Sequence, residues 1–435
     1  MRARLRRRVH LTPADRERSA FTTVPFEVPA GTSRIEVTYR YEGQGRPGAS
    51  SVVDLGLIDP RGSAFPQFPG FRGWSGSART SAVITPEGAT PGYLPGPLPP
   101  GTWQVLLGLS RVPPEGVEVE VTVDTWEETG QPPHPLPGPP RPGPPDRGRG
   151  WYAGDLHAHT HHSDAPGSLA ELVGAATRAG LDFLAVTDHN TVSHLPHLRA
   201  GSDRVLLVPG EEVTTARGHM NVWGLDRLVD FRWQTEAELR AVIEEARAQG
   251  CVLSLSHPLI PGMSWALGYD LPVDGLEIWH GPSGERNLET LAIWQELLRS
   301  GRRVVGLGGS DHHCGRRERP LANPTIWVLA DSLTVDGIVE ALRAGRVAIT
   351  TAGTPPPRLV AERDGRYWEV GDTVPRGGPV RVHCPAGTRL VTALGEVAPE
   401  AELDLLEHGF VRGELWEGGR RWPPIALTNP IWGQA

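Results

Sequence analysis

Beyond residue 150 the chain repeats one rhythm: a short apolar run, a His, Asp or Glu at its end, then an amphipathic period. The runs are GDLHAHT, LDFLAVTDHN, VLLVPGEEVTT, CVLSLSHP, GLEIWHG and RVVGLGGSDHH. Ser168-x-x-Glu171 and Thr235-x-x-Glu238 are capping boxes, which satisfy the free N–H groups of a helix start. They predict helices over 168–179 and near 235–249. A third is expected near 285–300, and a last one, VDGIVEALRAGR, ends near Gly345. Gly180, Gly250 and Gly301 stand where these helices must stop. Apolar strands alternating with capped helices mean parallel βα units, and so many units in about 200 residues point to a barrel rather than an open sheet.

The flanks read differently. Residues 1–129 carry RIEVTYRYEG, SVVDLGLIDP, TWQVLLGLS and VEVEVTVDTW, whose alternation and turn residues predict an antiparallel β-sandwich. Within it, PQFPGFRGWSGSAR is expected to be a packed aromatic loop, with a ligand-binding loop as the alternative. Residues 130–150, GQPPHPLPGPPRPGPPDRGRG, cannot continue helix or sheet and predict an extended, semi-rigid linker. The α/β unit then spans 151–352, and 353–435 returns to proline, glycine and short strands, a small β-rich domain.

Composition removes several functions. All 43 basic residues are arginine, which excludes a Schiff-base lysine and a P-loop lysine. A net charge of −8 argues against a nucleic-acid partner. Cys251, Cys314 and Cys384 are too dispersed for a disulfide framework or a CxxC zinc site. The start, MRARLRRRVHLTPADRERSAF, is basic without an apolar h-region, and no apolar run reaches the ~18 residues of a membrane span. A cytoplasmic protein without a membrane segment is expected.

Twelve of the sixteen histidines lie between His157 and His313. His157 and His159 follow the first apolar run, and Asp188 and His189 the second. Glu211 and Glu212 follow the third, His257 a later one, and Asp311, His312 and His313 the last. Strand C-terminal ends converge on one face of an α/β barrel, so these groups are expected to meet in space. In His157-x-His159 and Asp311-x-His313, side chains alternate with period two, so both members of each pair face one way. Burying so many imidazoles and carboxylates together is costly unless cations neutralise them. Donors of this kind without thiolate suit Zn, Mn or Fe rather than Ca or Cu(I), and their number implies two or three divalent ions.

The motifs DLHAHTHHSD, VTDHNT, PGEEVTTARGHMNVWG, SHP and GSDHH, in this order, resemble the PHP (polymerase and histidinol phosphatase) metallohydrolases. GHMNVWG, NLETLAIWQELLRSGRRVVGLGGSDHH and the closing ALTNPIW are similar to the branch that includes carbamate-insecticide (carbaryl) hydrolases. The resemblance covers 151–352 strongly and the C-terminal tail weakly, and does not reach 1–150. It implies a distorted (β/α)7 barrel with a metal cluster at its C-terminal face. Carried over by motif, the ligands are His157, His159, Asp164, His189, Glu212, His219, His257, Asp311 and His313. The family's Gly-x-Glu pattern selects Glu212, with Glu211 as second candidate. Asp188 is expected to orient a ligand histidine.

The expected chemistry is hydrolysis by a metal-bound hydroxide, with His219 or Asp311 protonating the leaving group. A phosphoester is favoured as substrate, and a carbamate or carboxylic ester is the alternative. Arg217, Arg316, Arg317 and Arg319 stand where they could reach a phosphoryl group, and His161 and His280 are further substrate-facing candidates. Trp223, Trp265, Trp279 and Trp327 are candidates for an apolar pocket, with burial in the core as the competing reading. His194 and His197 are placed in a loop and outside the ligand set. A metal-containing binding protein without catalysis, and a nuclease or replication accessory, are the other classes. The full ligand set disfavours the first and the negative charge the second.

Overall fold

The computed structural model describes residues 3–46, 48–281, 284–316, 319–399, 402–416 and 424–434. Its architecture is mixed α/β. The N-terminal strands form two four-stranded antiparallel sheets. One runs in the order Ala3–Leu11, Val117–Trp126, Arg34–Tyr41 and Ser81–Ile84, the other Phe21–Val28, Gly101–Arg111, Val52–Ile58 and Phe71–Gly76. Alternation decides which face is buried: Ile35, Val37 and Tyr39 point inward with Val53, Leu55, Val105 and Val119 from both sheets. Each such aliphatic side chain removed from water contributes about 1.5–3 kcal/mol.

Residues 127–149 form neither strand nor helix and are tied at both ends. The Ala89 N–H donates to the His134 carbonyl at 3.2 Å, and the Arg141 N–H to the Ala200 carbonyl at 2.8 Å.

The central sheet curls into a half-barrel. Its order is Val305–Gly309, Gly275–His280, Val252–Ser256, Gly218–Trp223, Leu206–Thr215, Phe183–Val186, Gly150–Asp155, Thr325–Ala330 and Val347–Thr350. The capping boxes form as expected, opening the helices Leu169–Arg178 and Glu236–Ala248. Leu239, Val242, Ile243 and Ala246 recur every three or four residues and bury one face of the second. Gly180, Gly250 and Gly301 end their helices at φ 72°, 83° and 83°.

The pairing departs from a uniform run of parallel units. Leu206–Thr215 does not lead into a helix but turns back as a hairpin with Gly218–Trp223, which pairs antiparallel on both sides. Glu211 and Glu212 therefore lie inside a strand, not beyond its end. The cause is local: Thr215-Ala216-Arg217-Gly218 is a tight turn, with Gly218 at φ 119° and the Thr215 hydroxyl donating to the Gly218 carbonyl at 3.0 Å.

Two side chains hold the ends of the curled sheet together. The buried Asp155 carboxylate accepts the N–H groups of His157, Ser310 and Ala322 at 3.1, 3.1 and 2.9 Å. Asn429, in the closing ALTNPIW, takes the Gly306 N–H and donates to the Gly306 carbonyl, both at 2.7 Å. Between them, Ala158–His159 pairs in parallel with His312–His313. The C-terminal segment is thus not wholly a body of its own. Val360–Arg363, Arg366–Glu369, Val380–His383 and Glu402–Leu403 make a separate sheet, while Ala426–Thr428 and Phe410–Leu415 extend the central one.

The N-terminal sheets pack on the half-barrel through aromatics. Phe231 lies 4.9 Å from Trp74 and 5.8 Å from Phe21, centroid to centroid. Phe68, Phe71 and Trp74, from the glycine-rich aromatic segment, are all buried in the central core. None of the described helices is long and apolar enough to cross a membrane.

Candidate metal centre

Strand ends, the hairpin and the turn after His159 bring nine groups together, seven of them lying deeper than Asp164 and His189, which line the cleft. His157 and His159 leave the strand Gly150–Asp155, and Asp311 and His313 follow Val305–Gly309. Glu212 and His219 sit on the two arms of the hairpin, and His257 follows Val252–Ser256. Glu212 is the hub. Its Oε2 lies 3.3 Å from His157 Nε2 and 3.0 Å from His189 Nδ1, and its Oε1 lies 3.1 Å from His219 Nδ1 and 3.0 Å from His257 Nε2. Asp311 Oδ1 is 2.9 Å from His159 Nε2, and Asp164 Oδ1 is 3.2 Å from His313 Nε2. All nine residues expected as ligands are brought together.

His257 and Asp311 hold left-handed backbone conformations at φ 27° and 50°. Non-glycine residues there are strained and persist only where surrounding structure imposes them.

The charges are arranged to compensate. Although burial works against it, the neighbouring histidines hold the Glu212 carboxyl well below its usual range, His157 foremost. Burial likewise opposes ionisation of Asp311, yet His157, His159 and His280 keep its carboxyl well below its usual range. His157 is pushed down by burial but raised well above normal by Glu212, Glu277 and Asp311. Burial and the adjacent His189 push His159 down to about 4.

The donors fit divalent ions. His157 Nε2 and Glu212 Oε2 are within contact distance, yet neither has a hydrogen-bond partner among the described residues. His257 Nδ1 is likewise buried without a hydrogen-bond partner among the described residues, while Asp164 Oδ1 and His280 Nδ1 meet His313 and Glu277, at 3.2 and 3.4 Å, outside hydrogen-bond alignment. Unpaired lone pairs gathered in one cluster suit metal ligation. His157, His159, Glu212 and Asp311 form one candidate group, His159, His189 and His313 a second, and His189, Glu212 and His219 a third.

Glu211 goes elsewhere. One residue along the strand faces the other way, and its carboxylate accepts the Val229 N–H at 2.9 Å. Burial there raises its carboxyl well above the usual range. Asp188, expected to orient a ligand histidine, instead holds the turn after His159, accepting the Thr160 N–H at 2.8 Å and the Ser163 hydroxyl at 2.6 Å.

The residue missed in the sequence is Glu277, in GLEIWHG. Its Oε1 meets His157 Nδ1 at 3.0 Å and its Oε2 accepts the His257 N–H at 2.6 Å. It thereby turns His157 Nε2 toward the cluster. The signal was present: a carboxylate interrupts an otherwise apolar strand. Gly309 makes room, since a Cβ there would lie 2.3 Å from His157 Cβ and 2.9 Å from Glu277 Oε1.

The substrate-facing candidates divide. Arg319 bonds Asp311 and donates to His280 Nε2 at 2.8 Å, so both Arg319 and His280 border the cluster. Arg316 reaches the Asp164 carbonyl at 3.1 Å. Arg217 stands at the hairpin turn and lines the same cleft as Arg316, Asp164 and His189. Arg317 lies outside the described residues. His161 has its ring against His134 and His162, 5.2 and 5.0 Å away, not against the cluster. His312 points its Nδ1 to the Arg319 carbonyl at 2.6 Å. His194 caps a short helix, Leu195–Arg199, that contains His197, so the expected loop is helical.

The cleft has a volume of about 1000 Å³, and the N-terminal sheets form one wall. Trp74, Phe21 and Arg16 come from that side, Phe231, Trp233 and Arg217 from the half-barrel. Trp223, Trp265 and Trp279 are buried core instead, and Trp327 is partly buried.

No protein-family model matches the chain. An uncharacterized protein of Methanocaldococcus jannaschii is 28% identical over 161 residues, covering 32% of this chain and 88% of that protein. A solved two-domain protein of Bacteroides vulgatus, described as containing a predicted PHP-like metal-dependent phosphoesterase, is 19% identical. The match covers 67% of this chain and 87% of that one, with a TM-score of 0.38.

Proposed function

We propose that this chain is a metal-dependent hydrolase of phosphoesters, with an N-terminal β-sandwich (1–129), a linker (130–150), a distorted (β/α)7 PHP-type barrel (151–352) and a C-terminal β-rich segment (353–435). The observation that carries the reading is a buried imidazole–carboxylate cluster opening, at Asp164 and His189, into a cleft rimmed by arginines.

Two or three ions of the Zn, Mn or Fe class would be held by His157, His159, Asp164, His189, Glu212, His219, His257, Asp311 and His313. Bound ions of this kind supply Lewis acidity and make water nucleophilic near neutral pH. The protein's own groups do the rest. Arg217 and Arg316 bind and orient the phosphoryl oxygens from the cleft side. Arg319 and His280 steady Asp311 from behind. His219 or Asp311, whichever is not taken up as a ligand, hands a proton to the leaving group. Phe21, Trp74, Phe231 and Trp233 exclude water around an organic leaving group.

The apolar walls favour a second reading, a carbamate or carboxylic ester hydrolase. A chromogenic panel on metal-loaded protein separates the two: a phosphodiester, a phosphomonoester, a naphthyl carbamate and a carboxylic ester, each with and without chelator. Chelator-sensitive turnover of a phosphoester is expected. Turnover confined to the carbamate or carboxylic ester overturns the phosphoesterase reading, and no turnover of any substrate favours a metal-containing binding protein.

A further inference from the structure

A second group of imidazoles takes no part in this chemistry. His134 comes from the proline-rich segment, His161 and His162 from the turn after His159, and His197 from the helix Leu195–Arg199. One ring nitrogen from each of His134, His161 and His162 lies within 4.8 Å of the other two. The His197 ring is 4.7 Å from that of His134 and 5.1 Å from that of His162, centroid to centroid. Three stretches of chain thus bring four imidazoles to one place, and the group contains no carboxylate.

Packing of aromatic rings does not account for it, because one nitrogen is left stranded. His162 is buried, and its Nδ1 lies 2.8 Å from the Ser193 hydroxyl. Its Nε2 is buried with no hydrogen-bond partner among the described residues. The Ser193 oxygen already accepts the Gly92 N–H at 2.9 Å, and its second lone pair can accept an Nδ1 proton. That tautomer leaves the Nε2 lone pair free, the arrangement in which a hydrogen bond behind a ring prepares the far nitrogen to bind a metal.

We propose that His134, His161 and His162, with His197 beside them as a fourth donor candidate, hold one divalent transition-metal ion, of the zinc class, in a structural site separate from the first cluster. Three or four neutral imidazoles with no thiolate and no carboxylate are a donor set for tetrahedral Zn²⁺. Because His161 and His162 lie between His159 and Asp164, an ion here staples the proline-rich segment to the turn that carries Asp164 to the first cluster. The inference does not depend on the hydrolase reading.

The test is metal content of the full chain, loaded with zinc, desalted and measured by mass spectrometry, for wild type and His134→Ala. His134 lies on an irregular segment, so its loss spares the folded cores, which circular dichroism checks. The variant is expected to lose about one equivalent of zinc per chain and keep the rest. With Co²⁺ in place of zinc, a matching part of the tetrahedral d–d absorption is expected to vanish. A His134→Ala/His197→Ala double variant that retains all the metal overturns the proposal. Loss of every ion in His134→Ala also overturns it, because the group is then only a support for the first cluster.

Discussion

The nine-residue cluster and the four-imidazole group use the same side chain under opposite electrostatics. In the first, Asp164, Glu212 and Asp311 are threaded among the histidines, and Glu212 alone touches His157, His189, His219 and His257. In the second, the imidazoles of His134, His161 and His162 gather with no carboxylate among them. Carboxylates can be shared between cations and offset their charge, so the first arrangement suits several ions close together. Neutral rings offset nothing, so the second suits a single ion. The locations differ in the same sense. The first cluster opens into the cleft, whereas the second lies where linker, turn and short helix meet. Under the proposed function, interleaved carboxylates and an opening to a cleft, rather than histidine clustering alone, are what set the reactive site apart.

The strongest challenge to this contrast is removal of the hub. Glu212→Gln is expected to lower chelator-sensitive turnover by more than about 100-fold, with loss of bound metal, because one change alters the carboxylate that four of the histidines contact. Retained metal and near-normal turnover would refute Glu212 as the hub. Glu277→Gln keeps the shape but weakens the hold on His157, and about 10–100-fold weaker metal binding is expected by competition titration. An unchanged affinity would reduce Glu277 to a packing residue.

A pH series on chelator-treated protein sharpens the electrostatic half of the comparison. Burial pushes His189 down, but Glu212 and Asp164 raise it to about 9. Its folded value lies above its ordinary one, near 6.5. Its contribution to stability is thus complete below that ordinary value and lost as pH rises toward 9. The metal-free melting temperature is expected to fall across that window, and added Zn²⁺ to reduce the fall, since metal replaces protons at the same nitrogens. A flat profile would mean that the carboxylates do not charge the histidines. The smallest effect is expected in the cleft. Trp74→Ala is expected to raise KM for a naphthyl or nitrophenyl substrate by roughly 10-fold with kcat nearly kept, the scale of a lost apolar contact. An equal loss in kcat would move Trp74 from the wall to the chemistry.

The positions of the polar residues were legible in the sequence because period and capping are local. Two-residue alternation in His157-x-His159 and Asp311-x-His313, capping boxes at Ser168 and Thr235, and stop glycines all act within a few residues. What only the tertiary structure decided is how distant segments share space. The turn at Gly218 folds Leu206–Thr215 back locally, but the strand that receives the returning arm, Val252–Ser256, is brought in from a distant segment. That pairing turned Glu212 inward and Glu211 to Val229. Glu277 became a partner of His157 only through a contact 120 residues long. The wall of the cleft, with Trp74 and Phe21, belongs to sheets whose own pattern points only to their own core. His134 stood in a stretch that read as mere spacer, and it meets His162 only because the linker is bonded to both bodies it joins. Local periodicity sets which residues share a face; long-range closure, with its entropy cost offset by burial and pairing, sets which faces meet.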